Sequence, residues 1–223
     1  MTVSFRNDST VELVQVCASD EMVARAAWVS NVGGDARLKE AGKIQGLINF
    51  LWRERHTSPF EHGLFTFYVE TPIFVAREFM RHRTQSFNEW SGRYAELEPV
   101  FYVPADERPL KQKGKIGSYQ HVEGDDWQKS ITNSWHGIAY KQSWQAYQDM
   151  LANNVAREVA RNVLPVGTYT KFFATVDPLN LMRFLDLRTA DQALYEIREV
   201  ANKMSVHLEE HMPITYAAWN NNK

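Results

Sequence analysis

Hydrophobic positions along this chain recur with two periods, and each period predicts one kind of element. Alternation rich in β-branched and aromatic residues predicts strands over 11–17, 63–70 and 168–176. Apolar residues three or four positions apart predict helices over 20–30, 40–55, 127–153, 155–163, 179–188 and 194–211. Together these elements predict an α+β fold in which a single domain, residues 1–223, packs a small, mainly antiparallel sheet against several long helices.

Local signals predict where several elements begin and end. Thr71–Pro72 and Asp177–Pro178 each provide a helix cap followed by proline at the first helical position. Thr189–Gln192 has the form of a capping box for the last long helix, and 31–35 has the composition of a turn. The segment 104–126 is rich in lysine, glycine and proline with little apolar periodicity, so we expect a long exposed loop there.

Composition narrows the class of protein. With 223 residues, 44% hydrophobic and 23% charged, the chain is long enough for one sizeable core. The formal net charge of −2 provides no overall field to attract nucleic acid. The single cysteine excludes an intrachain disulfide framework and favours a cytoplasmic location. Met1–Thr10 lacks the apolar core of a signal peptide, and no apolar run is long enough to span a membrane.

Several groups that could react or bind metal are interpreted as structural. His56, Glu61 and His62 resemble a metal-binding set, but Pro59 interrupts the helix that would hold the two histidines on one face. We therefore predict a tight turn there and no metal.

Two further cases also favour structural roles. His207 and His211 lie four positions apart without the glutamate spacing of a zinc motif. Cys17, at the end of the first predicted strand, is expected to pack as a small hydrophobe and not to act as a nucleophile.

The stretch 81–93 holds the densest set of phosphate-capable donors in the chain. Three arginines, a histidine, a glutamate, two serines and a glycine occur there within thirteen residues. Gly92, between Ser91 and Arg93, would let backbone amides approach an anion closely, and the arginine can bind the anion bidentately. We interpret this stretch as an anion and nucleotide site.

The helix expected before this stretch carries a continuous polar face. Arg77, Glu78, Arg81 and His82 fall within about 140° of one another at 100° per residue. Arg83 falls away from this face, so either the helix ends there or that arginine serves a second ligand or subunit. The alternative is a surface helix whose charges form ion pairs three and four positions apart.

Arg188 lies on an apolar stripe of its predicted helix, together with Leu181, Phe184 and Leu185. A guanidinium on such a face is costly unless it has a partner. Two interpretations stay open from the pattern alone. Either the arginine forms a buried salt bridge or extends to the surface at the helix end, or it faces a ligand.

Arg81-His82-Arg83, seven further residues and then Ser91 resemble the signature of the flavin-dependent thymidylate synthases. Other blocks similar to that family follow in the same order between about residues 12 and 219. They are Thr57–His62, Val163–Pro165, Tyr169–Phe173, Leu181–Leu185, Leu187–Arg188 and Glu196–Glu199. Several separated blocks are far more specific than one motif.

The resemblance implies reductive methylation of dUMP to dTMP, with methylenetetrahydrofolate as carbon donor and NADPH-reduced FAD as hydride source. It also implies a homotetramer whose sites combine residues of neighbouring subunits, and it implies no metal. By resemblance the FAD contacts would be Ser58, Arg81, His82, Arg83, Glu89, Asp177, Leu179 and Arg183. The dUMP contacts would be Glu78, Arg81, Glu89, Trp90, Ser91, Gly92, Arg93, Arg161 and Arg188, with Arg188 as the catalytic group facing the uracil ring.

The chain also departs from the family pattern. Asp177-Pro178-Leu179 stands where many members have Asn-Ala-Arg. Arg183 replaces an asparagine, Gln192 replaces a histidine, and Glu78 replaces a common glutamine. These departures concern individual flavin contacts and the way in which Glu78 meets the nucleotide.

The missing chemistry also favours a flavin enzyme. Methylation at C5 of uracil requires an electron-rich ring, which a cysteine thiolate can provide by adding at C6, but Cys17 is a poor candidate. A reduced flavin can deliver the hydride that side chains cannot. Arg188 can stabilise negative charge on the ring as it develops, and Ser91 is favoured as a phosphate donor over a nucleophile.

Two readings from other classes remain. A non-catalytic nucleotide- or RNA-binding module would use the 81–93 cluster, although the acidic net charge argues against it. A metal-dependent hydrolase would use His56, Glu61 and His62.

Overall fold

The strands form one four-stranded sheet and two smaller pairs within the part of the chain that the structure describes. The structure is a computed structural model that describes residues 2–32, 41–115 and 120–221. Its strands are β1 Ser4–Arg6, β2 Thr10–Val16, β3 Phe65–Pro72, β4 Ser86–Glu89, β5 Val100–Tyr102, β6 Lys111–Lys113, β7 Gln120–Val122 and β8 Tyr169–Val176.

The main sheet is antiparallel throughout and has the strand order β2-β3-β8-β4. Burial alternates along β3, and its inward-facing Phe65, Phe67 and Val69 are fully buried. The predicted strands and the predicted antiparallel sheet are therefore confirmed. The strands β1, β4, β6 and β7 were not predicted, and β1 pairs in parallel with β5.

Eight α-helices surround the sheet in the described ranges. They are α1 Asp20–Val32, α2 Ile44–Arg53, α3 Ile73–Phe79, α4 Asp126–Ala152, α5 Arg157–Ala160, α6 Pro178–Arg188, α7 Tyr195–His211 and α8 Pro213–Asn220. All the predicted helices are present, and α8 is an addition. The α+β class is thus confirmed, and helices account for the greater part of the packing around the sheet.

The apolar interior consists of two clusters. The larger one lies between the main sheet and helices α1, α2, α6, α7 and α8. The smaller one is formed by Phe101, Tyr140, Trp144, Tyr147 and Ala160, where α4 packs over β5 and α5. Several residues of the segment 161–166, just before β8, line the candidate site that is described next.

The start of α3 differs from the prediction. Thr71 and Pro72 are the last residues of β3, where they pair with Thr170 and Tyr169 of β8. The Thr71 hydroxyl lies 2.8 Å from the hydroxyl of Ser9 and caps no helix. Pairing with the neighbouring strand prevails over the local helix-start signal, and α3 is only 7 residues long.

Two other local predictions also need correction. The segment 104–126 contains the antiparallel pair β6 and β7, so it is not a featureless loop. The capping box over 189–192 is wrong, because α7 begins at Tyr195 with Leu194 at its cap and no side-chain cap bond. A capping box does exist at the start of α4, between Asp125 and Gln128.

Two predictions fall near the ends of the first elements. Cys17 is exposed, so the prediction that it packs as a small hydrophobe is wrong. Its backbone follows β2 and donates to the Leu64 carbonyl at 2.9 Å, which leaves the side chain outside the sheet. Of the predicted turn over 31–35, the first two residues belong to α1, and the remainder lies outside the described residues.

Candidate functional site

A cavity of about 490 Å³ lies between α3, the segment after β4 and the start of β8. Its volume is in the range of small-molecule sites. Four residues predicted to bind nucleotide line it, and they are joined there by Arg77 and Thr170. The four are Glu89, Trp90, Gly92 and Arg161.

Two arginines of this cavity form no ion pair with any described residue. Among the described residues, neither Arg77 nor Arg161 has a carboxylate oxygen within 4.0 Å. Arg77 comes from α3, and Arg161 begins the 3-10 turn Arg161–Val163 that follows α5. Two unpaired guanidinium groups from separate elements give the cavity the charge and the donors that a phosphate group requires.

The edge strand β4, which the sequence pattern did not predict, positions Glu89 and the tryptophan that follows it. Glu89 pairs with Phe172 of β8, and its Oε1 accepts from the Thr170 hydroxyl at 2.6 Å. The backbone N–H of Trp90 donates to the Lys171 carbonyl at 2.8 Å. Both residues are therefore fixed by the sheet.

The glycine of the motif is closely packed. A Cβ at Gly92 would lie 3.1 Å from Leu97 and 3.3 Å from the Cδ atom of Arg161. A Cβ there would make these two side chains shift by a few tenths of an ångström. Its neighbours Ser91 and Arg93 do not line the cavity, because the Arg93 Nε lies 3.1 Å from Glu158 Oε2 and its backbone N–H donates to the Ser91 hydroxyl at 3.2 Å.

A second cavity of about 470 Å³ adjoins the first, since both are lined by Arg77 and Val166. Glu78 and Arg81 also line it, and their side chains form a 3.3 Å ion pair. Six of the nine predicted nucleotide contacts thus line two neighbouring cavities, and Ser91, Arg93 and Arg188 line neither of them.

Arg188, the last residue of α6, is held by the segment that contains α3 and the turn after it. Its Nη1 donates to Glu78 Oε2 at 2.9 Å, and its Nη2 donates to the Glu78 carbonyl at 3.1 Å. Its Nε donates to His82 Nε2 at 2.9 Å. The side chain is 15% exposed. Of the two interpretations left open by the sequence, the salt bridge is present, and the partner Glu78 also borders the second cavity.

The pKa of His82 is lowered below its ordinary value of 6.5. Burial is the main cause and the positive charge of Arg188 adds to it, while Glu78 acts in the opposite direction. His82 is therefore neutral near neutral pH. Because Nε2 accepts the hydrogen bond from Arg188, the ring proton belongs on Nδ1.

The predicted flavin contacts fall into two groups. One group consists of Arg81, His82 and Arg83, which lie in the segment that follows α3, and Glu89, which is the last residue of β4. Leu179 and Arg183 line a further cavity of about 550 Å³ together with Arg53, Arg55 and Thr57, and Ser58 follows Thr57 in a 3-10 turn.

The residues present fit a phosphorylated cofactor. Arg53, Arg55 and Arg183 border one cavity with a single carboxylate, Asp186, whose Oδ1 accepts from Trp219 at 2.8 Å. The donor set of the cavity is thus strongly cationic and suits a diphosphate. Between His82 and β4, both amide atoms of Gln85 are buried and have no hydrogen-bond partner among the described residues.

Asp177 has a local structural function. It caps α6, with Oδ1 accepting from the Asn180 N–H at 2.8 Å and Oδ2 accepting from the Asn180 side chain at 2.6 Å. The predicted helix start is thus confirmed.

The residues considered for metal binding are dispersed. Within the described ranges, no three His, Cys, Asp or Glu side chains are grouped in a way that could hold a metal ion. His56 packs edge-on against Phe50, whereas Glu61 and His62 are exposed at the end of the 3-10 turn. In the same ranges, no helix combines the length and the apolarity that crossing a membrane needs.

The sequence pattern did not single out three residues of the site, namely Arg77, Thr170 and Gln85. Arg77 was seen as part of a polar helix face, and its position one turn before Arg81 was the available signal. Thr170 and Gln85 carried no signal of their own, because a threonine in a strand and a glutamine in a polar stretch are unremarkable. Their importance comes from the contact with Glu89 and from burial.

Sequence comparison finds related proteins over nearly the whole chain. Residues 12–214 match the family described as thymidylate synthase complementing protein. A flavin-dependent thymidylate synthase of Streptomyces avermitilis is 50% identical, over 98% of this chain and 94% of the relative. One of Thermotoga neapolitana is 40% identical, over 98% and 94%.

Solved structures give the same result. The UMP/dUMP methylase PolB of Streptomyces cacaoi, bound to 5-Br dUMP, is 43% identical with a TM-score of 0.93, over 98% of this chain and 97% of that one. The same enzyme bound to 5-Br UMP is 42% identical with a TM-score of 0.90, over 97% and 96%. Since the family match and these relatives span nearly the whole sequence, the chain belongs to the flavin-dependent thymidylate synthase family.

Proposed function

We propose that this protein catalyses the reductive methylation of dUMP to dTMP in the cytoplasm, with methylenetetrahydrofolate as carbon donor and NADPH-reduced FAD as hydride source. The observation that supports it is a cavity of nucleotide size with two arginines that lack carboxylate partners in the described chain. Near this cavity, Arg188 is bound by Glu78 and His82. A nucleoside monophosphate needs a cationic pocket for its phosphate and a fixed cation near its base.

The phosphate would be bound by Arg77 and Arg161. Both border the first cavity, and they reach it from different elements. Arg93 forms an ion pair with Glu158, and its backbone N–H donates to the Ser91 hydroxyl. Both residues lie beside Gly92, and they would complete the phosphate shell by giving up these contacts in favour of the phosphate.

The base would lie toward Arg188. A guanidinium has five N–H donors, and three of those of Arg188 are used by Glu78 and His82. The remaining two are available to a uracil carbonyl oxygen, and to N3 only in a form of the ring in which N3 carries no proton. Because arginine stays protonated at all physiological pH values, it stabilises the negative charge that develops on the ring when C5 becomes nucleophilic.

FAD would be held by the two groups of predicted contacts. These are Arg81, His82, Arg83 and Glu89 in one group, and Ser58, Asp177, Leu179 and Arg183 in the other. Arg183, Arg55 and Arg53 provide positive charge for its diphosphate, and the side chain of Trp52 provides an apolar surface in the same cavity. When bound, the reduced flavin supplies the hydride that no side chain can donate.

A cysteine nucleophile is not part of the proposal. Cys17 follows β2 and its N–H bonds to Leu64, next to the first residue of β3, whereas α3 follows the last residue of β3. A strand of 8 residues separates the two ends by about 25 Å. The lone thiol is thus remote from Arg77 and Glu78 in the same chain.

UMP is a second candidate substrate. It is favoured by the similarity to the UMP/dUMP methylase that was solved with 5-Br UMP bound. The present chain is 42% identical to that protein and 50% identical to a flavin-dependent thymidylate synthase. Methylation of UMP would use the same phosphate and base contacts, and only the 2′-hydroxyl would need extra room.

A homotetramer is part of the proposal. The first turns of α4 expose four large apolar side chains at helical spacing, namely Trp127, Ile131, Trp135 and Ile138. Trp127 is 71% exposed and Trp135 is 62% exposed. A contiguous apolar stripe of this kind on a surface helix supports contact with another subunit.

The proposed activity is tested with purified protein. We expect a yellow protein with a flavin absorbance spectrum, and dTMP detected by chromatography when dUMP, methylenetetrahydrofolate and NADPH are all present. Arg188→Ala should abolish dTMP formation while flavin stays bound, and Arg157→Ala, an exposed arginine on α5, is the matched control. A parallel reaction with UMP compares kcat/KM for the two nucleotides.

The contrary outcomes are specific. A colourless protein that fails to bind added FAD, or a flavoprotein that methylates neither nucleotide, would overturn the proposal. The alternative of a non-catalytic RNA-binding module instead expects tight binding to polynucleotides with a steep salt dependence.

A further inference from the structure

The arginine at the end of α6 is fixed by an unusually complete set of contacts. Arg188 donates through Nε, Nη1 and Nη2 to partners at 2.9, 2.9 and 3.1 Å. The Nη contacts both go to Glu78, one to its carboxylate and one to its carbonyl. The Nε contact goes to His82. His82 thus adds a third contact, through Nε, to the two that Glu78 makes with the Nη atoms.

His82 can hold Arg188 only as a neutral imidazole. Its Nε2 accepts the N–H of Arg188, so a proton on that nitrogen would remove the acceptor and place two positive groups 2.9 Å apart. The ring is kept in place by Phe184, which packs edge-on at 4.8 Å between ring centroids. Its orientation is thus set by packing and its bonding by its charge.

The charged groups around His82 are few. Arg188 comes from α6 and Glu78 comes from α3, and the aromatic neighbour Phe184 carries no charge. Glu78 is shared, because its other oxygen lies 3.3 Å from Arg81. The carboxylate alone therefore compensates two arginines, and it offers little stabilisation to a third positive charge on His82.

We propose that His82 is a positioning residue that holds Arg188 toward the substrate when the imidazole is neutral and releases it when the imidazole is protonated. The inference rests on the proposed function, in which Arg188 faces the uracil ring. It assigns His82 a role toward another side chain, in addition to its predicted contact with flavin. The consequence is an acid limit to catalysis that is set by one residue.

The sign of this dependence follows from the contacts. Burial and Arg188 both lower the pKa of His82, so the neutral form persists below the ordinary value of 6.5. Catalysis is therefore intact near neutral pH, and it falls only as the pH drops through that lowered pKa. Below it, kcat/KM should fall by about tenfold per pH unit if one proton is responsible.

The first test compares pH profiles of kcat/KM for the flavin-loaded enzyme. His82→Gln keeps a side-chain oxygen that accepts the Arg188 N–H, and it cannot titrate. We expect this variant to lose the acid limb that the native enzyme shows, when each profile is normalised to its own activity near neutral pH. His121→Gln, at an exposed histidine of β7, should keep the native profile. An unchanged acid limb in His82→Gln would overturn the inference.

The second test does not depend on turnover. The pKa of His82 is measured by NMR on isotopically labelled histidine, with the signal assigned through His82→Gln. In Arg188→Leu the pKa of His82 should rise, because the guanidinium that lowers it is gone. A pKa that stays unchanged in Arg188→Leu would show that the two side chains do not interact, and would overturn the inference even if His82→Gln were inactive.

The two proposals fail in different ways. Absence of dTMP and of methylated UMP at every pH refutes the proposed function, whereas product formation with an acid limb that survives in His82→Gln refutes only the positioning role.

Discussion

Arg77 and Arg161 reach one cavity from two different elements of the fold. Each is without a carboxylate partner among the described residues, although the chain contains more acidic than basic residues. An unpaired guanidinium retains its full donor capacity for a ligand. The phosphate contact proposed for the nucleotide is therefore a property of two residues that the structure leaves available.

Replacing Arg161 by glutamine should weaken dUMP binding by about 10- to 100-fold, since a hydrogen bond to a charged group contributes about 1.5–3 kcal/mol. Binding of deoxyuridine, which lacks the phosphate, should hardly change. Titration calorimetry on flavin-loaded protein measures both affinities.

The matched control is Arg157→Gln, one turn earlier on α5. Arg157 lies 3.8 Å from Glu96 and is exposed, so its loss should affect neither ligand. An equal loss of affinity for dUMP and deoxyuridine in Arg161→Gln would contradict a phosphate contact and would indicate a general disturbance of the cavity.

At the scale of elements, short strands and turns position the site. The edge strand β4 pairs with β8 through Glu89 and Phe172, which brings the motif next to Thr170. Four residues with the composition Ser-Phe-Asn-Glu carry little strand signal by themselves. Its partner β8 lies far away along the chain, so the local sequence pattern did not predict the strand.

Helix α4 has one buried face and one exposed apolar face. Tyr140, Trp144 and Tyr147 are buried in the smaller core, whereas Trp127 and Trp135 are exposed on another side of the helix. The sequence indicated a long apolar helix but did not separate these faces, because aromatic residues occur on both.

Trp135→Glu should reduce the mass of the assembly, since a carboxylate in an apolar contact loses its hydration. Circular dichroism should stay native, because the residue is 62% exposed in the described chain. Sedimentation velocity measures the mass. The control Asn133→Glu adds the same charge about 160° around the helix, and it should leave the assembly intact. Native mass in Trp135→Glu would argue against α4 as a subunit contact.

For the whole molecule, buried histidines couple stability to pH. His82, His136 and His207 all have a lowered pKa, and burial is the first cause in each case. The Nδ1 atom of His136 is buried and has no hydrogen-bond partner among the described residues, whereas that of His207 lies 3.8 Å from a carboxylate oxygen of Glu210.

The free energy of unfolding should therefore fall as the pH drops below the ordinary histidine pKa of 6.5. The unfolded chain takes up protons there while the folded chain does not, so the unfolded state gains stability until the folded histidines also titrate. Urea unfolding between about pH 7.5 and 5.5 measures this effect.

His136→Gln should show a smaller loss of stability over that interval than the native chain, whereas His121→Gln should show the native loss. A native-sized loss in His136→Gln would mean that His136 does not contribute to the pH dependence.

The sequence by itself determined the features that depend on neighbouring residues. Periodicity located the long helices and the strands β2, β3 and β8, the Asp177 cap was read from two residues, and the motif from Arg81 to Ser91 was sufficient to place the chain in its family. Each of these signals lies within a few turns of chain, so no knowledge of the fold was needed.

Only the tertiary structure decided which distant groups meet. The sequence left Arg188 between a salt bridge and a ligand contact, and the fold brings Glu78 and His82, more than a hundred residues away, to its guanidinium. It also paired β4 with β8, and among the described residues it gave neither Arg77 nor Arg161 a carboxylate partner. Such contacts are set by the packing of whole elements against one another, which the local pattern does not encode.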